Sequence, residues 1–119
     1  MKTVIISGAS RGIGAAIAKK LAKDGFFVVI NFLSNKNAAL AVLEECNNCG
    51  MIWQADVSKP DQVEAMVNAV VKKCGSVDAL VNNAGISKSG LLIDMTDGDI
   101  ASLIATNLVG VINCCKYTA

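Results

Sequence analysis

Glycine residues cluster after the first apolar segment of the chain, at a spacing that favours phosphate binding. Residues 7–14 read Ser-Gly-Ala-Ser-Arg-Gly-Ile-Gly, a G-x-x-x-G-x-G pattern without the Lys and Ser/Thr of a Walker A loop. Gly8 permits a tight turn, Gly12 lets a diphosphate approach the backbone, and Gly14 lets the next helix pack closely. Free N–H groups at the start of that helix attract an anion. The pattern predicts a phosphate-binding turn, with a purely structural turn as the alternative.

Three further polar segments follow the ends of predicted strands or open a helix. The third strand ends in Asp56-Val57, the fourth ends in Asn82-Asn83-Ala84-Gly85, and Asn107 opens the last helix. Each alone has an ordinary interpretation, as a loop cap, a turn or a polar helix junction. Together with the glycine turn, in this order and at these ends, they form a highly specific pattern.

The apolar periodicity alternates between strand and helix, which predicts a parallel sheet with helices on both faces. The strands are predicted at 3–7, 26–32, 51–56 and 77–82. The helices are predicted at 13–23, 35–46, from Ser58 as N-cap to about 74, from Thr96 or Asp97 to 106, and from Asn107 onward. Right-handed crossovers with one reversal give an α/β, Rossmann-type doubly wound sheet of order 3-2-1-4, a single domain over 1–119. The ligand crevice is expected between strands one and four.

Composition excludes several classes of function. The 119 residues include 11 basic and 10 acidic side chains, for a net charge of +1, which argues against nucleic-acid binding. No histidine is present, so imidazole catalysis and histidine metal sites are excluded, and no metal is expected. The Cys46-x-x-Cys49 pair falls at a predicted helix end, which favours ordinary reduced thiols. No apolar run exceeds six residues, so a cytoplasmic protein without a membrane segment is expected.

These residues resemble the short-chain dehydrogenase/reductase family over the whole chain, most closely its 3-oxoacyl-acyl-carrier-protein and acetoacetyl-CoA reductases. The resemblance implies an oxidoreductase that transfers a hydride from a nicotinamide cofactor to the ketone of a small or acyl-thioester substrate. Asp56 would meet the adenine, and Asn107 would order a proton-relay water as the catalytic residue present. The implied cofactor-binding residues are Gly8, Ser10, Arg11, Gly12, Ile13, Gly14, Phe32, Asp56, Val57, Asn82, Ala84 and Gly85.

The same family places a catalytic Ser and a Tyr-x-x-x-Lys pair after a fifth strand, and this sequence does not contain them. Tyr117 has no Lys four residues on and follows Asn107 too soon. The sheet is therefore expected to be truncated before strand five, as the N-terminal half of a reductase that is inactive alone. A non-catalytic dinucleotide-binding module or fragment is the alternative. A nucleotide-sugar epimerase is disfavoured by the glycine spacing.

The choice of cofactor follows from the residues after the second strand. NAD binding needs an acidic residue there for the ribose 2′-hydroxyl, but the segment 31–34 reads Asn-Phe-Leu-Ser. Arg11, just before Gly12, can meet a 2′-phosphate with its fork of donors. NADP(H) is therefore predicted over NAD(H), with a solvated turn arginine as the alternative.

Assembly is also expected from the resemblance, because the last two helices in this family usually pair with a second subunit. An apolar set is compatible with that role, although it could equally belong to the internal core. Its members are Leu103, Ile104, Leu108, Val111 and Ile112. The fourth strand would also expose an open apolar edge, which favours aggregation. The isolated chain is therefore not expected to be a clean monomer.

Overall fold

Four short strands form one parallel sheet in the computed structural model, which describes residues 1–86 and 91–119. They are β1 (Thr3–Ile6), β2 (Phe27–Phe32), β3 (Gly50–Gln54) and β4 (Ala79–Val81), in the order β3-β2-β1-β4. The predicted Rossmann-type order is confirmed. β4 is three residues long, shorter than the predicted 77–82.

Two apolar layers cover the two faces of this sheet. The helices are α1 (Gly12–Lys23), α2 (Lys36–Glu45), α3 (Pro60–Cys74), α4 (Asp97–Ile104) and α5 (Gly110–Thr118). Val4 and Ile6 of β1 belong to the core layer that contains residues of α1 and α2. Ile5 belongs to the layer that contains residues of α3 and α5. Alternate side chains of one strand thus enter opposite layers, as the period of two requires.

The start of α3 differs from the sequence prediction. Ser58 is not its N-cap: the cap is Lys59, and Pro60 occupies the first turn as expected. The Ser58 hydroxyl instead donates to Asp56 Oδ1 over 2.7 Å. A carboxylate two residues away is a stronger acceptor than a neutral partner, since charge-assisted hydrogen bonds are the stronger class. Ser58 therefore belongs to the loop after β3 rather than to the helix.

The predicted break between two helices at Asn107 is wrong. The chain is helical without interruption from Asp97 to Thr118, and a π-helical turn at Ala105–Val109 joins α4 to α5. Thr96 caps the run with a full capping box. Ile104 and Gly110, on either side of the π turn, keep right-handed helical φ and ψ angles. No proline interrupts the segment, and the π turn absorbs one extra residue instead of ending the helix.

The outer side of this helical run is apolar and uncovered. The run is 22 residues long and passes, by length and composition only, as a possible membrane span, with 17% of its apolar window buried. Ile104, Leu108 and Ile112, here called the α4–α5 stripe, are 51%, 57% and 54% exposed. The inner side of α5 packs on the layer that contains α3, where Cys114 is buried and burial raises the pKa of its thiol to about 11. The α5 part of the run therefore has one covered and one open face, whereas α4 buries none of its residues.

Candidate functional site

A cleft of about 380 Å³ opens where the carboxyl ends of β1 and β4 diverge. This is the reversal point of the sheet, where ligands of open α/β folds bind. Most of the predicted cofactor residues line it: Gly8, Ser10, Arg11, Gly12, Ile13, Asp56, Val57, Ala84 and Gly85. Asn31, Leu33, Ala55, Asn83, Ile86 and Thr106, which were not among the predicted residues, line it as well.

Four predicted site residues do not line the cleft. Phe32 is 4% exposed and belongs to the apolar core, whereas its neighbour Leu33 reaches the cleft. Asn82 is exposed, and its amide donates to Cys115 Sγ over 3.4 Å. Gly14 lies behind the turn, where a Cβ would meet Asn83 Nδ2 and come within 2.7 Å of Gly8 O. Asn107, the fourth, is bonded to the backbone of the cleft wall.

The glycine turn is held to β4 by two side chains. The Ser7 hydroxyl accepts hydrogen bonds from Asn83 N at 3.0 Å and Ala84 N at 2.9 Å. Asn83 Nδ2 donates in return to Gly8 O over 2.9 Å. Gly8 itself has a φ of +63°, and a Cβ there would lie 2.8 Å from Ala84 Cα. The turn and the β4 segment therefore form one closely packed wall that admits only glycine at position 8.

The N-terminus of α1 carries no side-chain cap and opens on this cleft. Its N-cap is Arg11, whose side chain makes no capping bond, whereas Asn35 caps α2 and Thr96 caps α4. Gly12, the first helical residue, has a φ of +60° and open space around its missing Cβ. Unsatisfied N–H groups and the positive end of the helix dipole favour an anion at this point.

Asp56 presents a fixed carboxylate at the other end of the cleft. Its Oδ1 accepts from Ser58 N at 3.0 Å and from Ser58 Oγ at 2.7 Å. Its own N–H donates to Gln62 Oε1 over 2.8 Å. In the described part of the chain, Oδ2 receives no hydrogen bond and can accept one from a ligand N–H group. The arrangement suits an amino group such as that of an adenine.

The Asn107 side chain bonds the cleft wall through both of its polar atoms. Its Oδ1 accepts from Ile86 N, and its Nδ2 donates to Ile86 O, both over 2.8 Å. An amide side chain can therefore hold this backbone segment, and it keeps one donor and one acceptor site.

Two buried asparagines were missed in the sequence. Asn31 accepts from Gly8 N at 3.1 Å and donates to Trp53 O and Ala55 O. Asn113 of α5 donates to Val57 O over 2.9 Å. The available signal was an isolated amide within an apolar run, since Asn31 is the single polar residue of the strand segment Phe-Val-Val-Ile-Asn-Phe.

A broader depression of about 560 Å³ adjoins β3, and the two glutamines that line it already make hydrogen bonds. Gln54 Nε2 donates to Leu33 O over 2.9 Å, and Gln62 binds the Asp56 N–H. The cleft at the reversal point, with its open helix N-terminus, is the better candidate for a ligand site.

Comparisons with known proteins agree with one another. A family profile described as short chain dehydrogenase matches residues 2–119. The 3-oxoacyl-(acyl-carrier-protein) reductase FabG of Staphylococcus epidermidis is 47% identical over 95% of this chain and 48% of that protein. The same reductase of Staphylococcus aureus is 45% identical over 95% of this chain and 47% of that protein. The chain spans about half the length of these curated relatives.

A solved structure gives the same picture. A short chain dehydrogenase from Burkholderia cenocepacia, in complex with NADP, matches with a TM-score of 0.93 and 38% sequence identity. The match covers 98% of this chain and 49% of that one.

Proposed function

The chain belongs to the short-chain dehydrogenase family, and from that premise we propose that it supplies the NADP(H)-binding part of a reductase. The observation that carries the proposal is the uncapped start of α1 beside the open space at Gly12. A dinucleotide diphosphate would take the anion position there. The cofactor residues named from the sequence keep their roles within this proposal, including Gly14, Phe32 and Asn82, which lie outside the cleft lining.

The remaining parts of the cofactor have residues of matching chemistry along the cleft. Asp56 Oδ2 would accept from the adenine amino group, with Val57 beside the ring. Ala84 and Gly85 would lie along the nicotinamide ribose. Arg11, which is exposed at the cleft edge, would meet a 2′-phosphate. When bound, the nicotinamide supplies the hydride, and the residues of this chain hold and orient it.

The proposed substrate is the ketone of an acyl thioester, because the similar curated reductases are named for 3-oxoacyl groups. Hydride transfer to a ketone needs a proton donor near the developing alkoxide. The chain has no histidine, and Asn107 positions Ile86 rather than donating a proton. This favours the second candidate, a dinucleotide-binding module that does not catalyse by itself, for the 119-residue chain alone.

The 119-residue chain is expected to bind NADP⁺ but not to turn over. Calorimetric titration should give saturable binding at one site. Absorbance at the NADPH band should show no oxidation with an acetoacetyl thioester beyond a control without protein. Steady oxidation by the purified chain would contradict the second statement, and absent NADP⁺ binding would contradict the first.

We also propose that the α4–α5 stripe pairs with a second copy of the chain. Three large apolar side chains on one helical face are more than half exposed, and β4 pairs only with β1 among the described strands.

A net charge of +1 opposes nucleic-acid binding. The bond from Asn113 to Val57 O ties the helix to the globular layer. A cytoplasmic location without membrane contact is part of this proposal.

Light scattering is expected to give a mass above 12.3 kDa for the wild-type chain. Leu108→Lys places a charge in the middle of the stripe and should shift the population towards monomer. Ser102→Lys adds the same charge at an exposed position outside the stripe and should leave the mass unchanged. A single monomer peak for the wild-type chain would refute the pairing.

A further inference from the structure

We propose that Asn31 is a positioning residue that holds the glycine turn and the Asp56 loop in the relative placement a dinucleotide needs. The inference rests on the proposed function, since it concerns how the two ends of one cofactor site are kept in register. Asn31 lies in β2, the strand between β1 and β3. It lines the cleft while being only 2% exposed.

The amide of Asn31 uses its oxygen for one neighbouring strand and its nitrogen for the other. On the β1 side, Oδ1 accepts from Gly8 N over 3.1 Å. On the β3 side, Nδ2 donates to Trp53 O over 3.3 Å and to Ala55 O over 3.1 Å. The main-chain oxygen of Asn31 also accepts from Ala9 N over 2.8 Å. One residue therefore bonds both the first two amides of the turn and the backbone just before Asp56.

Packing alone does not call for an asparagine here. The other buried residues of β2 are Val28, Val29, Ile30 and Phe32, all apolar. Burying an amide has a desolvation cost unless its hydrogen bonds are made. Only a group with a donor and an acceptor at one carbon satisfies an N–H on one side and carbonyls on the other. A carboxylate would face two carbonyls without a proton to donate, and an aliphatic side chain would remove the side-chain partner from all three groups.

The consequence for the ligand site is that the backbone amides of the turn and those at the start of α1 have different roles. Because Gly8 N and Ala9 N are already bonded to Asn31, they do not point free amides at an anion. The diphosphate is left to the start of α1. The turn is tied to β4 independently through Ser7 and Asn83. Asn31 therefore provides the side-chain link from the turn to the β3 side, where Asp56 would receive the adenine.

The test compares a ligand that spans the site with one that occupies a single end. NADP⁺ reaches from the Asp56 loop to the glycine turn and beyond, whereas adenosine has no phosphate and needs only the Asp56 end. Asn31→Leu should weaken NADP⁺ binding by about 10-fold or more, the equivalent of one unsatisfied buried pair. Adenosine affinity, measured by NMR titration, should change by less than about 3-fold.

Val29→Ala is the matched control, because Val29 is a buried β2 residue two positions before Asn31, on the same face of the strand, and makes no side-chain hydrogen bond. It should lower stability without changing the ratio of the two affinities. Asn31→Thr suits a strand and keeps one hydroxyl donor, so it should fold and give an intermediate change in that ratio if Asn31→Leu does not fold.

The outcomes separate the two proposals. Failure of the wild-type chain to bind NADP⁺ would overturn the proposed function and this inference with it. Wild-type binding together with equal losses of NADP⁺ and adenosine in the Asn31 variants, or no loss of either, would overturn this inference alone. A selective loss of NADP⁺ in the Asn31 variants but not in Val29→Ala is the supporting result.

Discussion

Replacing Gly8 by alanine is expected to lower the free energy of unfolding by about 2–5 kcal/mol, and replacing Gly12 by only about 1–2 kcal/mol. The two glycines have nearly the same backbone, with φ of +63° and +60°, so the strain of a left-handed alanine is shared. They differ in space. A Cβ at Gly8 would lie 2.8 Å from Ala84 Cα, which is backbone, whereas a Cβ at Gly12 meets nothing within 4 Å.

Gly12→Ala is expected to cost little stability but to weaken NADP⁺ binding. Its open space belongs to the cleft, so a methyl group there takes room from a diphosphate while the fold survives. We expect NADP⁺ affinity to fall by about 10-fold or more, equivalent to at least 1.4 kcal/mol. Urea unfolding and calorimetric titration measure the two quantities on the same samples.

Gly25 is the control for backbone strain alone, without the close contact at Gly8 or the loss of ligand space at Gly12. It has a φ of +98°, its Cβ would meet nothing within 4 Å, and it lies after α1 at the opposite end of that helix. Gly25→Ala should lose about 1–2 kcal/mol of stability and bind NADP⁺ as the wild-type chain does. Equal stability losses for Gly8→Ala and Gly12→Ala would contradict the packing argument. Unchanged NADP⁺ affinity in Gly12→Ala would contradict the assignment of the diphosphate.

Arg11→Ala should lower NADP⁺ affinity by about 10–100-fold and leave NAD⁺ affinity nearly unchanged. A charge-assisted hydrogen bond contributes about 1.5–3 kcal/mol, and each 1.4 kcal/mol is a factor of ten. Arg11 is exposed at the N-terminus of α1 and makes no capping bond, so its guanidinium is available. Only the 2′-phosphate distinguishes the two ligands, so the ratio of their dissociation constants isolates this contact.

Two variants bracket this result. Arg11→Lys keeps the charge but loses the planar fork, and it should retain part of the preference. Lys23→Ala removes one positive charge from the last turn of the same helix and should leave the ratio unaffected. Equal binding of NADP⁺ and NAD⁺ by the wild-type chain, or an unchanged preference in Arg11→Ala, would refute the prediction.

The sheet order could be predicted because local periodicity and the handedness of crossovers leave few alternatives. The alternation of strand and helix segments fixed which elements exist, and the glycine turn indicated where the cleft lies. The prediction of Ser58 as the N-cap is wrong because its hydroxyl bonds the Asp56 carboxylate instead of the start of α3. Apolar periodicity does not indicate which of these two partners a serine takes. The predicted helix break at Asn107 is wrong because the chain continues through a π turn, which leaves no sequence signal comparable to proline or a terminal glycine.

The missed site residues share a different cause. Asn31 and Asn113 act through backbone carbonyls 22 to 56 positions away in the sequence. No spacing rule within a strand or helix reports such partners, so each was visible only as a polar residue in an apolar segment. By contrast, Asp56 and the glycine turn carry their signal locally, in residue type and in position at the end of a strand.

The uninterrupted helix through the π turn has a mechanical consequence. Asn107 is hydrogen-bonded to the backbone of Ile86 at one end of the cleft, and Asn113 is hydrogen-bonded to Val57 O at the other. They lie six positions apart along one helix, a span of about 9 Å at the α-helical rise of 1.5 Å per residue. The helix thus sets the distance between the Ile86 segment and the Val57 segment. Any shift of the helix would move both segments together.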